Sequence, residues 1–150
     1  MEGLIPGFRN GIERGTVDNL TGGVYSGQIP KGDASLLLKL DFPIGNFDVI
    51  DIALFYNYRA VRFVVSLIEN NTYIQKISDH KSKGNQTFFL YRRTISGESD
   101  SCELYIEFPL GPTILHSYSI KRLISQVPKA GVGRVIETTI DTSSFKKYTI

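Results

Sequence analysis

The sequence contains no tryptophan, one methionine, one cysteine and two histidines. One cysteine excludes an internal disulfide framework, and with two histidines it excludes the four-ligand sites of zinc fingers and ribbons. No apolar run approaches the roughly 20 residues of a membrane-spanning helix. The longest, residues 61–68, is interrupted by Arg62 and Ser66. Residues 1–15 alternate glycine, charge and single apolar residues, so the continuous apolar segment of a secretory signal is missing. Charge of one sign is also scarce. The 17 Lys and Arg face 15 Asp and Glu, a formal net charge of +2, too balanced to attract nucleic acid or an anionic membrane through the field alone. Catalytic signatures are absent too: no G-x-S-x-G, no H-E-x-x-H and no phosphate loop, since AGVGR at residues 130–134 lacks the lysine and length of a phosphate cradle.

What is present suits one domain. The 150 residues are 41% hydrophobic and 21% charged, enough apolar material for a sizeable core and against wholesale disorder. Glycine is unevenly spread: eight of the 14 precede residue 33, and Gly3, Gly7, Gly11 and Gly15 recur every fourth residue. Glycine costs about 1 kcal/mol per residue in a helix interior, so this spacing predicts an extended arm rather than a helix. The expected organisation is an N-terminal arm over residues 1–32, with Leu4, Ile5, Phe8 and Ile12 as anchors, followed by a folded domain over residues 33–150. Those four apolar side chains are costly to leave in water, so the arm is expected to order on docking against a partner.

From residue 35 the apolar period is two, the mark of half-buried strands. Leu36, Leu38, Leu40 and Phe42 share one face; Ile50, Ile52, Leu54, Tyr56 and Tyr58 share the next; Val61, Phe63, Val65 and Leu67 a third. A short strand is expected over residues 72–77, then a polar loop over 79–85. Phe88 and Leu90 alternate with Phe89 and Tyr91, and Cys102, Leu104, Ile106 and Phe108 alternate with Glu103, Tyr105 and Glu107. Further strands are expected over 113–125, 135–140 and 145–150. Seven or more short strands with turn signals between them predict an all-β fold, an antiparallel β-sandwich or jelly-roll-like domain.

Candidate chemistry is thin. Glu103 and Glu107 share a strand face, but at about 3.4 Å per residue their backbones are roughly 13–14 Å apart, too far for a glycosidase pair, so solvated strand carboxylates are expected. Asp48 and Asp51 flank a strand start and are read as charges against edge pairing. Cys102 lies on an apolar face and reads as a packing residue, since a catalytic thiol needs an exposed, electropositive site. His80, read into a basic loop, and His116 give no metal-ligand spacing. Residues 97–100 are acidic but lack the order of a calcium loop. No catalytic residue, metal or cofactor is therefore expected. Tyr73, Tyr91 and Tyr105, with Arg93 nearby, are the expected exposed aromatic platform for a ligand. Leu37, Val49, Phe55 and Val64 alternate onto the outward face and are expected to form a subunit interface.

The order of these features resembles the knob-type β-sandwich domains of phage and pyocin tail fibres and related virion appendages. The likeness runs over about residues 24–127: a glycine-containing lead VYSGQIPKGD, a strand LLLKLDF, the apolar pair DVIDIALFYNY and AVRFVVSL, the aromatic-basic FFLYRR and then CELYIEFP. It is a likeness of pattern and strand order, with no site residue to carry over. It implies a non-enzymatic structural protein of a phage virion, a head or tail fibre subunit assembled in the host cytoplasm. It further implies a homo-oligomer, most simply a trimer, attached to other virion proteins through the arm, with host-surface glycan as a partner and neither nucleic acid nor membrane insertion. A free carbohydrate-binding β-sandwich module is the alternative.

Overall fold

The computed structural model describes residues 13–17, 23–28, 36–56, 58–82, 87–95, 101–108, 115–124 and 133–150. In chain order the strands are β1 (Glu13–Val17), β2 (Gly23–Gln28), β3 (Leu36–Asp41), β4 (Ile44–Gly45), β5 (Val49–Tyr56) and β6 (Arg59–Ile68). They continue as β7 (Asn71–Lys81), β8 (Phe89–Thr94), β9 (Ser101–Phe108), β10 (Leu115–Ile124), β11 (Gly133–Glu137) and β12 (Lys146–Thr149). The described residues contain no helix. Sheet A runs β1-β11-β3-β9-β8-β12 with β4 also on β9, and sheet B runs β2-β10-β5-β6-β7. Every pairing is antiparallel, and the two sheets pack face to face as a β-sandwich.

Alternation decides which side chains fill the space between the sheets. Leu36, Leu38 and Leu40 of β3 and Cys102, Leu104, Ile106 and Phe108 of β9 meet Ile50, Ile52, Leu54 and Tyr56 of β5 and Val61, Phe63, Val65 and Leu67 of β6. Phe108 is the hub of an aromatic cluster, edge-on to Tyr56 at 6.0 Å and to Phe88 at 5.4 Å between ring centroids, the T-shaped geometry favoured by ring quadrupoles.

Several expectations are corrected. The short strand expected over residues 72–77 is the 11-residue edge strand β7, which takes in Asp79, His80 and Lys81. A bulge opposite Arg62 and Phe63 keeps that polar stretch in register with Arg59–Val61, and Arg59 holds Asp79 through two hydrogen bonds of 2.9 and 2.8 Å. Polarity here marks an edge strand in water, not a loop. Tyr58 leaves the inner face because β5 ends at Tyr56 and Tyr58 sits in the turn. Asp48 and Asp51 do not guard an edge, since β5 lies between β10 and β6. Asp48 is fully buried and accepts the Gly45 N–H at 2.9 Å, while Asp51 pairs with Arg62.

Within the segment read as an arm, residues 13–17 form β1 against β11 and residues 23–28 form β2 against β10. Each is the outermost strand of its sheet among the described residues. A glycine-rich stretch such as GVYSGQ has no clean apolar period of its own and is recruited by the ladder of its neighbour. Leu4, Ile5, Phe8 and Ile12 lie outside the described residues.

Among the described residues, the β6–β7 turn carries the one non-glycine residue with a positive φ. Glu69 has φ of 55°, a left-handed conformation that disfavours residues with a Cβ. Its N–H donates to the Asn46 carbonyl at 2.8 Å and its own carbonyl accepts from Arg92, so both peptide groups are held in place.

Candidate functional site

The outer face of sheet A is largely closed by the chain itself. After β11 the Thr138 N–H donates to the Leu37 carbonyl at 3.0 Å, and the segment then crosses β9 and β8 before pairing as β12. Phe145 lands on Tyr105 with 5.3 Å between ring centroids, and the Arg93 guanidinium lies 5.4 Å from the same ring. Beneath this strap Tyr91 and Tyr105, opposite one another in the β8–β9 ladder, are 5% and 1% exposed. The platform expected from Tyr73, Tyr91, Tyr105 and Arg93 is therefore not assembled. Two of its tyrosines are covered, Arg93 remains exposed on sheet A, and Tyr73 is exposed on sheet B.

The two carboxylates on this face are also not simply solvated. Tyr91 donates its phenol to Glu107 Oε1 at 2.5 Å, and Tyr105 donates to Glu103 Oε1 at 2.9 Å. Glu103 further meets Lys39 at 3.2 Å and Arg93 at 3.4 Å. Burial first, and then the neighbouring carboxylate, push both phenols up to about 12. Cys102 is buried as expected, with its thiol pushed up chiefly by desolvation. Among the described residues no group of three or more His, Cys, Asp and Glu is placed to hold a metal ion.

The outer face of sheet B is different. The ladders place its outward side chains in four rows that cross β10, β5, β6 and β7. The first is Ser117, Phe55, Ala60 and His80; the second is Ser119, Ala53, Arg62 and Ser78. The third is Lys121, Asp51, Val64 and Gln75; the fourth is Ile124, Val49, Ser66 and Tyr73. Arg62 crosses between the second and third rows to make two hydrogen bonds with Asp51, at 3.1 and 2.7 Å. This charged belt divides the face into two patches of unlike chemistry.

At the β6–β7 end the patch is apolar. Ile124, Ile68 and Tyr73 are each about half exposed around half-buried Val49. At the β5–β6 end, small side chains flanking the large ring of Phe55 leave two depressions that meet at Phe55 and Ala60. One, of about 310 Å³, is floored by Ala53, Ser78 and Ser119. The other, of about 530 Å³, is bounded by Tyr58, Asp79, His80 and Lys81. Phe55 and Tyr58 are 41% and 48% exposed. Asp79 is held ionised, well below the usual carboxylate range, by the Arg59 hydrogen bonds and then by Lys76 at 3.0 Å.

The interface expected from Leu37, Val49, Phe55 and Val64 is thus split. Leu37 belongs to sheet A and the other three to sheet B, with only Phe55 exposed. Sequence reasoning missed Tyr58 and His80 as neighbours of Phe55. The signal was the Y-N-Y-R turn, which moves Tyr58 off the inner face. Comparison with family models, curated proteins and solved structures finds no match to this chain.

Proposed function

We propose that this chain is a non-enzymatic structural subunit of a phage virion, a head or tail fibre component that acts by self-association and surface contact. The supporting observation is the row Ile124, Val49, Ser66 and Tyr73 with Ile68 beside it, in which Ile124, Tyr73 and Ile68 are about half exposed on sheet B while the chain covers much of sheet A with its own strap. Contiguous exposed apolar side chains on a β-sandwich face mark a contact with another protein surface. In this reading the row is the contact between copies in a trimer, and Leu4, Ile5, Phe8 and Ile12 anchor the subunit to the particle. The setting is supplied by the resemblance of the sequence pattern over about residues 24–127 to virion appendage knobs.

Light scattering on the full chain at tens of micromolar tests the assembly. A trimeric mass that falls to monomer in Ile124→Asp or Tyr73→Asp supports it, and a monodisperse wild-type monomer overturns it. Because β1 and β2 belong to the sheets, anchoring is tested by deleting residues 1–12 only. Particles made with that deletion should lack the subunit when probed by immunogold electron microscopy, and normal labelling overturns the anchor.

A further inference from the structure

We propose that the edge of β7 takes an added β-strand from a partner protein, an extended segment with acidic residues on either side of an apolar one. The inference goes beyond the assembly reading, which uses the outer face of sheet B. It concerns the backbone edge and the side chains that point between the sheets.

The backbone comes first. β7 ends sheet B among the described residues. Successive residues of an antiparallel strand direct their N–H and C=O groups to opposite sides. The Leu67 N–H donates to the Asp48 carbonyl at 3.0 Å, on the β5 side, so Ser66 and Ile68 turn theirs toward β7. Their partners Tyr73 and Asn71 face them, and Thr72, Ile74 and Lys76 therefore direct their backbone groups away from the sheet. Residues 71–76 keep an unbroken register with β6 up to the bulge at Ile77. Such a row is a template for another extended chain.

The side chains decide which chain. Thr72, Ile74 and Lys76 stand opposite Leu67, Val65 and Phe63, so they point into the seam between β7 and β12. From β12, Lys146 and Tyr148 stand opposite Arg92 and Leu90 and point into the same seam. Arg92 spans it to Asn71 and Thr72, and Lys146 Nζ lies 3.5 Å from the Asn70 carbonyl. An added strand would thus meet Lys146 near Thr72, the partly buried Ile74 and Tyr148 in the middle, and Lys76 at the far end.

Both lysines are exposed, and each carries three donors, of which Lys76 gives one to Asp79. Asp79 itself lies past the bulge, clamped by Arg59 and Lys76, and Glu69 is in the turn before the run. The complement of this edge is acid–x–apolar–x–acid. A second copy does not supply it. Laid antiparallel with Ile74 at the centre, it would bring the Lys76 of each copy toward the Lys146 of the other, and edge lysines oppose such self-pairing.

The probe is the peptide acetyl-TDTVTDT-amide, which reads alike in either direction, with TKTVTKT as the basic control. Each is titrated into the isotope-labelled full chain and followed by NMR. Saturable one-to-one binding of the acidic peptide is expected, with amide exchange at Thr72, Ile74 and Lys76 slowed at least about tenfold as these N–H groups enter a ladder. Lys76→Glu and Lys146→Glu should each weaken binding about fivefold, with thermal unfolding confirming that both variants fold. Ile124→Asp, on the outer face, should bind the peptide like wild type, and Lys76→Glu should leave the oligomer mass unchanged, so this proposal and the assembly reading fail separately. No saturable binding, equal binding of the basic peptide, or binding without slowed exchange at those three amides overturns the proposal. Undiminished binding in the double lysine variant does so too.

Discussion

Arg92 Nη2 donates to Asn46 Oδ1 at 2.9 Å while its Nη1 reaches the Asn71 carbonyl and the Thr72 hydroxyl, both at 3.0 Å. Arg92 stands on β8 of sheet A, and Asn71 and Thr72 open β7 of sheet B. One buried guanidinium therefore ties the sheets together at the end where hydrophobic packing gives way to turns. It also holds the Glu69 carbonyl, supporting the left-handed residue of the β6–β7 turn.

Arg92→Ala should accordingly cost about 3–5 kcal/mol, because it strands the buried Asn46 acceptor and three part-buried ones at once. Denaturant unfolding measures this. A loss below about 1 kcal/mol would mean that water replaces the guanidinium without difficulty.

Truncating Leu38, Phe63 or Ile106 to alanine should cost about 2–5 kcal/mol each, the range for cavities in packed cores. All three side chains are shielded from solvent in the space between the sheets. Phe55→Ala, on the outer face, should stay within about 0.5 kcal/mol of wild type. Equal effects at all four positions would contradict the assignment of inner and outer faces.

The Cys102 thiol should react slowly with a disulfide reagent in the native protein and rapidly in guanidinium. Burial both blocks access and raises its pKa, so the thiolate that would attack is scarce. Rapid stoichiometric labelling of the folded chain would displace Cys102 from the inner face of β9.

Alkaline pH should destabilise the fold through Tyr91 and Tyr105. Their phenols ionise near 12 in the folded chain against 10.0 for a free phenol. Below pH 10 both states keep the proton and nothing changes. Between about 10 and 12 the unfolded chain loses protons that the folded chain retains, so stability falls by about 1.4 kcal/mol per pH unit for each tyrosine. Tyrosinate absorbance should show these two titrating late or only with unfolding. Glu107→Gln should bring Tyr91 part of the way back, since the carboxylate is one cause of its shift. Early, independent titration of all eight tyrosines would refute the burial of this pair.

Alternation by itself determined the inner faces. Leu36, Leu38 and Leu40, the Ile50–Tyr56 series, the Val61–Leu67 series and the Cys102–Phe108 series were legible because a strand's side chains change side at every residue. With one face of each strand buried, a single apolar period fixes both strand and face. The all-β class and the buried thiol follow from that local rule.

The outer faces were decided only by the tertiary structure. Tyr91, Tyr105 and Tyr73 all sit opposite an apolar period and look alike in sequence, yet the strap carrying Phe145 covers the first two and leaves the third open. The outward quartet Leu37, Val49, Phe55 and Val64 separates because β3 and β5 join different sheets, which no local pattern encodes. Likewise Phe55, Tyr58, Asp79 and His80 become neighbours only through the register of β5, β6 and β7 and the bulge that extends β7. Inner faces depend on residues two apart along the chain, and outer faces on which distant segment crosses them. The first is a property of the strand, the second of the whole fold.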